Sequence, residues 1–294
     1  MFVLDWFLEP VFSLIFGFLN NNLKSLTITK NENQYNLIAF DPGNYVSSFI
    51  MAPWVNRIKN GKFKCEKGEF NLLQDHPLAR NFKHAIHGTM LFAKWNIINY
   101  KQNFIELSSK ILKPWPFDGE INSKFTLFKN KLLQELTIIN NDKSVMPFSM
   151  GWHPWFNRSL GSNDVLVRFE SEFKWKIENE IPTSEKLISD EILKFKKGYS
   201  PDIGSLDDCY RINNKSVVKL EWPELSLKIN SSNECSHLTV YTPPKGVNEN
   251  YICVEPQTST INSFQLEEEG VDDNGTLFLS PKERKTIFTE WEWS

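Results

Sequence analysis

The sequence is short of the features that mark several large classes of protein. Its 294 residues contain four cysteines, Cys65, Cys209, Cys235 and Cys253, and no two of them form a Cys-x-x-Cys pair. This leaves neither zinc-finger spacing nor a disulfide framework, so a reducing, cytoplasmic setting is expected. There is no excess of positive charge: 33 Lys and Arg stand against 36 Asp and Glu, a net charge of −3. That balance gives no electrostatic case for nucleic acid or for an anionic membrane. No segment repeats, and no low-complexity tract or linker divides the chain. An uninterrupted apolar run of the roughly 20 residues needed to span a bilayer is also missing.

The nearest approach to such a run is the opening stretch, MFVLDWFLEPVFSLIFGFLN, which Asp5, Glu9 and Pro10 interrupt. It has no Lys or Arg before its apolar part and no small-residue cleavage pattern, so it does not read as a signal peptide. Two readings remain, a surface or membrane-contacting helix and an upstream segment outside the fold. The expected division is therefore residues 1–20 apart from a single domain over 21–294, with any membrane contact confined to 1–20. Nothing in the sequence fixes an oligomeric state.

What the chain does have is strand text. LKSLTITKNENQYNLIAF, WNIINYKQNFIELSSKI and SKFTLFKNKLLQELTIINN each read as two alternating runs around a polar turn. DVLVRFESEFKWKI, KSVVKLEWPELSLKI, HLTVYTPP and YICVEP continue the pattern, and TIFTEWEW puts Ile287, Trp291 and Trp293 on one face. No long segment has helical period. The predicted class is all-β, a large antiparallel β-sandwich, with short helices confined to connections such as Ser184 to Lys196. Ten tryptophans fit core filling, and they also fit platforms for the apolar faces of sugar rings.

Five polar positions stand out. In GWHPWFN, Pro154 forces His153 onto extended backbone, and Trp152 and Trp155 flank it. It reads either as a buried structural histidine or as a reacting acid. Glu255 ends the apolar run YICVEP, where a carboxylate is expensive unless paired or functional. His87 precedes Gly88, Arg57 precedes the turn KNG, and Asp207 and Asp208 are equal candidates in LDDCY. His76, His84 and His87 are clustered, but no carboxylate sits at ligand spacing, so no metal is expected.

NRIKNGKF, AIHG, GWHPWF, LDDCY and VEPQT, in that order, resemble the aldose 1-epimerases of the galactose mutarotase type, from about Leu23 to the C-terminus. The resemblance implies one β-supersandwich with a sugar cleft and no cofactor. It gives His153 the role of general acid and Glu255 that of general base. Arg57, His87 and Asp207 match positions that bind sugar hydroxyls, and spacing to Tyr210 favours Asp207 over Asp208. His153 and Glu255 are expected to face each other across a concave pocket with the other three on its walls. Two departures concern specificity: HGTMLFAKW carries Leu91 and Ala93 where relatives often have Arg, and Trp155 replaces a common Tyr.

The chemistry needs these residue types. Opening a cyclic hemiacetal moves a proton off the C1 hydroxyl and another onto the ring oxygen, which takes one base and one acid within about 2.6–3.2 Å of those atoms. The expected partner is a free aldohexose such as glucose or galactose. One rival is a hexose-6-phosphate 1-epimerase, which would need a cationic pocket drawing on Arg57 with Lys94 or Arg80. The other is a non-catalytic sugar-binding protein, which would not need an acid–base pair.

Overall fold

A computed structural model describes residues 22–40, 47–74, 76, 82–213 and 216–294, together with the backbone of Phe12–Gly17. The long hairpins form where alternation is strictest. Gly119–Phe128 and Lys131–Asn140 pair antiparallel over their full length, every second residue being buried. Arg284–Trp293 joins this hairpin with Leu136 opposite Ile287, and Ile287, Trp291 and Trp293 are all buried. These strands lie at the centre of an eight-stranded sheet that ends in Leu166–Arg168 on one side and Asn96–Lys101 on the other.

A second eight-stranded sheet runs Ile181–Leu187, Ser171–Glu178, Asp207–Ile212, His237–Tyr241, Tyr251–Gln257, Gly151–His153 and Phe49–Met51, with Trp155–Asn157 also paired to Tyr251–Gln257. The two sheets share one core. Tyr210, Leu238, Val240, Ile252, Val254 and Trp152 from the second sheet belong to the same buried cluster as Leu136, Ile138, Ile287 and Trp291 from the first. Because side chains alternate across a strand, the residues between them, Asp207, Cys209, Thr239, Cys253 and Glu255, take the opposite, outer face of the second sheet. The expected all-β sandwich is the observed architecture. Eight of the nine described tryptophans are buried filler, and Trp155 alone among them is part-exposed.

Helix placement differs from the expectation in one respect. Ser184 to Leu187 extends the strand Ile181–Leu187, which pairs with Ser171–Glu178, and the helix begins only at Asp190. Asp190 and Glu191 suit the positive N-terminal end of that helix, and three lysines suit its last turn before Gly198. A second short helix, Ser263–Glu268, lies in a connection that carries no clear periodic signal. Within residues 1–20, the backbone of Phe12–Gly17 pairs antiparallel with Asn22–Lys30, and residues 1–11 and 18–20 lie outside the described residues. Among the described residues no helix is long and apolar enough to cross a membrane.

Candidate active site

The outer face of the second sheet carries a cavity of about 470 Å³, within the usual size range of small-molecule sites. Arg57, His87, His153, Asp207 and Glu255 all line it. The strand register explains how they meet. Asp207 is opposite Tyr241, and Tyr241 is opposite Cys253, so these three share a face with Glu255, two residues beyond Cys253. Asp208 faces the other way and lies 3.3 Å from the Lys174 ammonium. Asp207 is therefore the one of the pair that reaches the cavity.

His153 reaches it through a change of partner. Gly151 pairs with Gln257, and Trp155 pairs with Cys253, so the same antiparallel register brings His153 level with Glu255. Pro154 has no N–H to continue the ladder between these pairs. Gly151 permits the close approach, since a Cβ there would sit 2.6 Å from the Pro256 carbonyl oxygen. On its other side His153 pairs with Phe49, whose ring stacks on the imidazole at 4.6 Å between centroids.

The result is a buried pair of an imidazole and a carboxyl. His153 Nε2 lies 3.2 Å from Glu255 Oε1, and the two residues are 7% and 1% exposed. Among the described residues, Glu255 Oε2 has no hydrogen-bond partner. Burial pushes the Glu255 carboxyl well above its ordinary range, Asp207 adds to the rise, and Arg57 opposes it. Burial takes the His153 imidazole down to about 3, with Arg57 acting in the same direction and the residue's own carbonyl opposing. An unperturbed imidazole titrates at about 6.5. The buried ring is instead neutral throughout the physiological range. Trp155 Nε1 donates to His153 Nδ1 at 3.1 Å.

The walls are polar on one side. Arg57 Nη2 donates to Asp207 Oδ2 at 2.9 Å and lies 4.0 Å from Glu180 Oε1, so its charge is already matched. His87 stands on left-handed backbone with φ 60°, and Gly88 beside it at φ +69° packs so tightly that a Cβ would lie 2.0 Å from the Ala52 carbonyl oxygen. This sharp turn aims the His87 ring edge-on at His153, 4.8 Å between centroids. Burial, followed by His153, Arg57 and His76, lowers the pKa of His87 well below the ordinary value. The other side is apolar, formed by Phe49, Leu91, Phe92 and Trp155.

The other histidines of the cluster have structural partners. His76 Nε2 lies 2.9 Å from the Gly88 carbonyl oxygen, and His84 Nδ1 accepts from the Asn60 amide at 3.0 Å. Of the phosphate-reading cations weighed above, Lys94 is exposed outside the cavity lining, and Arg80 lies outside the described residues. Ala93 is buried in the core. Sequence reasoning had no sign of Cys253, whose Sγ lies within 4.8 Å of the facing His153 and Glu255 atoms, the one such set of metal-capable donors among the described residues. Its signal was parity alone, two residues before Glu255.

Residues 22–287 match the family model described as aldose 1-epimerase. YihR of Escherichia coli K12, a protein described as uncharacterized, is 22% identical over 222 residues, 73% of this chain and 70% of its own length. A galactose mutarotase-like protein from Clostridium acetobutylicum superposes with a TM-score of 0.80 at 19% identity, covering 96% of this chain and 92% of that one. An aldose epimerase homologue from C. elegans gives 0.79 at 15% identity, with 97% and 96% covered. At these identities the structural likeness speaks for the fold.

Proposed function

This chain belongs to the aldose 1-epimerase family, and from that premise we propose that it interconverts the α and β anomers of a free aldohexose by acid–base ring opening and closure. The observation that carries the reading is the couple His153 Nε2 and Glu255 Oε1, 3.2 Å apart on the floor of the cavity. The two oxygens on C1 of a cyclic sugar belong to one carbon, so two groups this close can address both. Glu255 takes the proton of the C1 hydroxyl on its unpartnered Oε2, and His153 presents its Nε2 to the ring oxygen. A carboxyl held high by burial is a strong base once ionised. Arg57, His87 and Asp207 hold the remaining hydroxyls, so that rotation about C1–C2 in the open aldehyde ends in closure on either face. The pocket has one cation among its described lining residues, Arg57, and its charge is matched by Asp207 and Glu180. That favours an uncharged sugar over a 6-phosphate. The four free thiols fit a reducing, cytoplasmic setting.

Polarimetry of freshly dissolved α-D-glucose and α-D-galactose tests the activity, with acceleration over the spontaneous rate expected. A parallel NMR comparison of glucose with glucose 6-phosphate tests the substrate class. Faster exchange of the phosphate would assign the protein to the phosphosugar epimerases, and binding without turnover would make it a sugar-binding protein.

A further inference from the structure

The indole nitrogen of tryptophan always carries its proton and offers no lone pair, so it can only donate. Here that fixed donor is aimed at the proposed acid, with Trp155 Nε1 3.1 Å from His153 Nδ1. An imidazole nitrogen accepts such a bond only while it is unprotonated. The single proton of a neutral ring must then sit on Nε2, the nitrogen facing Glu255. A doubly protonated ring would set two N–H groups against each other.

We propose that Trp155 is a positioning residue that locks His153 as the neutral Nε2–H tautomer, so that the acid presented to the ring oxygen is an imidazole N–H and not an imidazolium. The proposal rests on the anomer-interconversion reading for its catalytic meaning and on the indole contact for its structural one. Trp155 is itself held firmly. Its ring stacks on Tyr251 at 4.3 Å with 12° between planes, and its backbone pairs with Cys253.

The groups around His153 come from several elements. Phe49 covers one ring face, and His87 meets it edge-on. Arg57 would oppose a positive charge on the ring, whereas ionised Glu255 and Asp207 would favour it; His87, held neutral chiefly by burial, and the Cys253 thiol, raised by burial, add no charge. Burial, which disfavours the charged form, adds to the effect of Arg57. A neutral imidazole N–H can polarise an oxygen without carrying a full charge.

The protons balance. As the C1–O5 bond breaks, its electron pair goes to the ring oxygen, which takes the Nε2 proton. Glu255 takes the C1 hydroxyl proton as the C1–O1 carbonyl forms. Glu255 then returns that proton to Nε2 across the 3.2 Å that separates them. The net change is one proton moved from O1 to O5, and the protein ends as it began.

The deciding experiment is nitrogen NMR of the intact protein labelled with ¹⁵N-histidine, with the His153 signals assigned by their loss in His153→Asn. Between about pH 5 and 8, where an ordinary histidine titrates, Nδ1 should resonate as an unprotonated nitrogen and Nε2 as a protonated one, without change. An Nδ1–H tautomer, or titration near the ordinary histidine value, would overturn the proposal. This readout needs no turnover, so it separates failure here from failure of the proposed activity. Trp155→Phe keeps a ring for stacking and removes the donor. It should lower kcat about three- to tenfold, the worth of one hydrogen bond, with KM little changed, and the His153 nitrogen signals should shift towards a mixture of the two neutral tautomers. Higher activity in Trp155→Phe at acidic pH would show that an imidazolium is the better acid and would refute the lock.

Discussion

Replacing Glu255 by Gln should make the protein slower and more stable at once, and pH should separate the two effects. Glu255 is 1% exposed, and its Oε2 has no partner among the described residues. Gln has the same shape but cannot take a proton from the C1 hydroxyl. Loss of a positioned base lowers kcat by about 10²–10⁴-fold, roughly 3–5 kcal/mol of transition-state stabilisation. The stability effect follows from the raised carboxyl pKa, caused first by burial and then by Asp207. A folded-state pKa above the unfolded value gives a contribution that is full below about pH 4.3 and is lost as pH rises through the folded value. Near neutral pH the wild-type protein thus pays for a buried, incompletely bonded carboxylate, and Gln does not. A gain of about 1–3 kcal/mol is expected at pH 7 to 8, the cost of one unsatisfied buried group, and little or none near pH 4. Urea denaturation at both pH values, alongside polarimetry, measures each part. Near-wild-type mutarotation above background would remove Glu255 as the base. Equal destabilisation at both pH values would refute the account of its burial.

Arg57→Ala and Asp207→Ala should raise KM more than they lower kcat, and because the pair is bonded at 2.9 Å, their effects should couple by about 0.5–3 kcal/mol in a double-mutant cycle; additive losses would mean that they act separately. Gly88→Ala, forced against the Ala52 carbonyl at positive φ, should cost about 2–4 kcal/mol in denaturant stability, and a silent substitution would contradict the tight turn under His87. His153 and His237 are both held down to about 3, chiefly by burial. Their lowered folded values mean that stability is full above about pH 6.5 and falls as pH drops towards 3, by roughly 2 kcal/mol each between pH 6.5 and 5; flat denaturation midpoints across that window would count against buried neutral rings. A chain beginning at Asn21 should stay folded and active, because Arg57, His87, His153, Asp207 and Glu255 all follow it in the sequence; loss of soluble protein would show that the strand Phe12–Gly17 is needed to cover Asn22–Lys30.

Alternation made most of the strands legible in the sequence, since Ile287, Trp291 and Trp293 declare one buried face without any tertiary knowledge. The helix at Asp190–Lys197 was placed a few residues early because Ser184 to Leu187 is polar edge-strand sequence, held by pairing with Ser171–Glu178 and not by its own burial. Glu255 and His153 were visible because a carboxylate and a histidine in apolar text are costly. Asp207 and Asp208 could not be separated locally, because which of them faces the cavity depends on a register running through Tyr241 and Cys253. The contact of Trp155 with His153 was hidden for a similar reason. Residues two apart on a strand share a face, but only the break at Pro154 and the pairing with Cys253 turn the indole towards the ring.

Along Tyr251–Gln257 the odd-numbered positions reach the cavity side and the even-numbered positions fill the core. The two alphabets are interleaved in one stretch of chain yet can be edited separately. Variation at 251, with 207 and 241 on neighbouring strands, changes the cavity wall while 252 and 254 hold the sandwich together. A point substitution thus touches one alphabet at a time, whereas a one-residue insertion or deletion scrambles both. Such a shift would exchange the two alphabets in every position downstream until the next turn, sending Glu255 into the core and Val254 into the cavity. Lineages of this strand should therefore diversify by replacement and almost never by length.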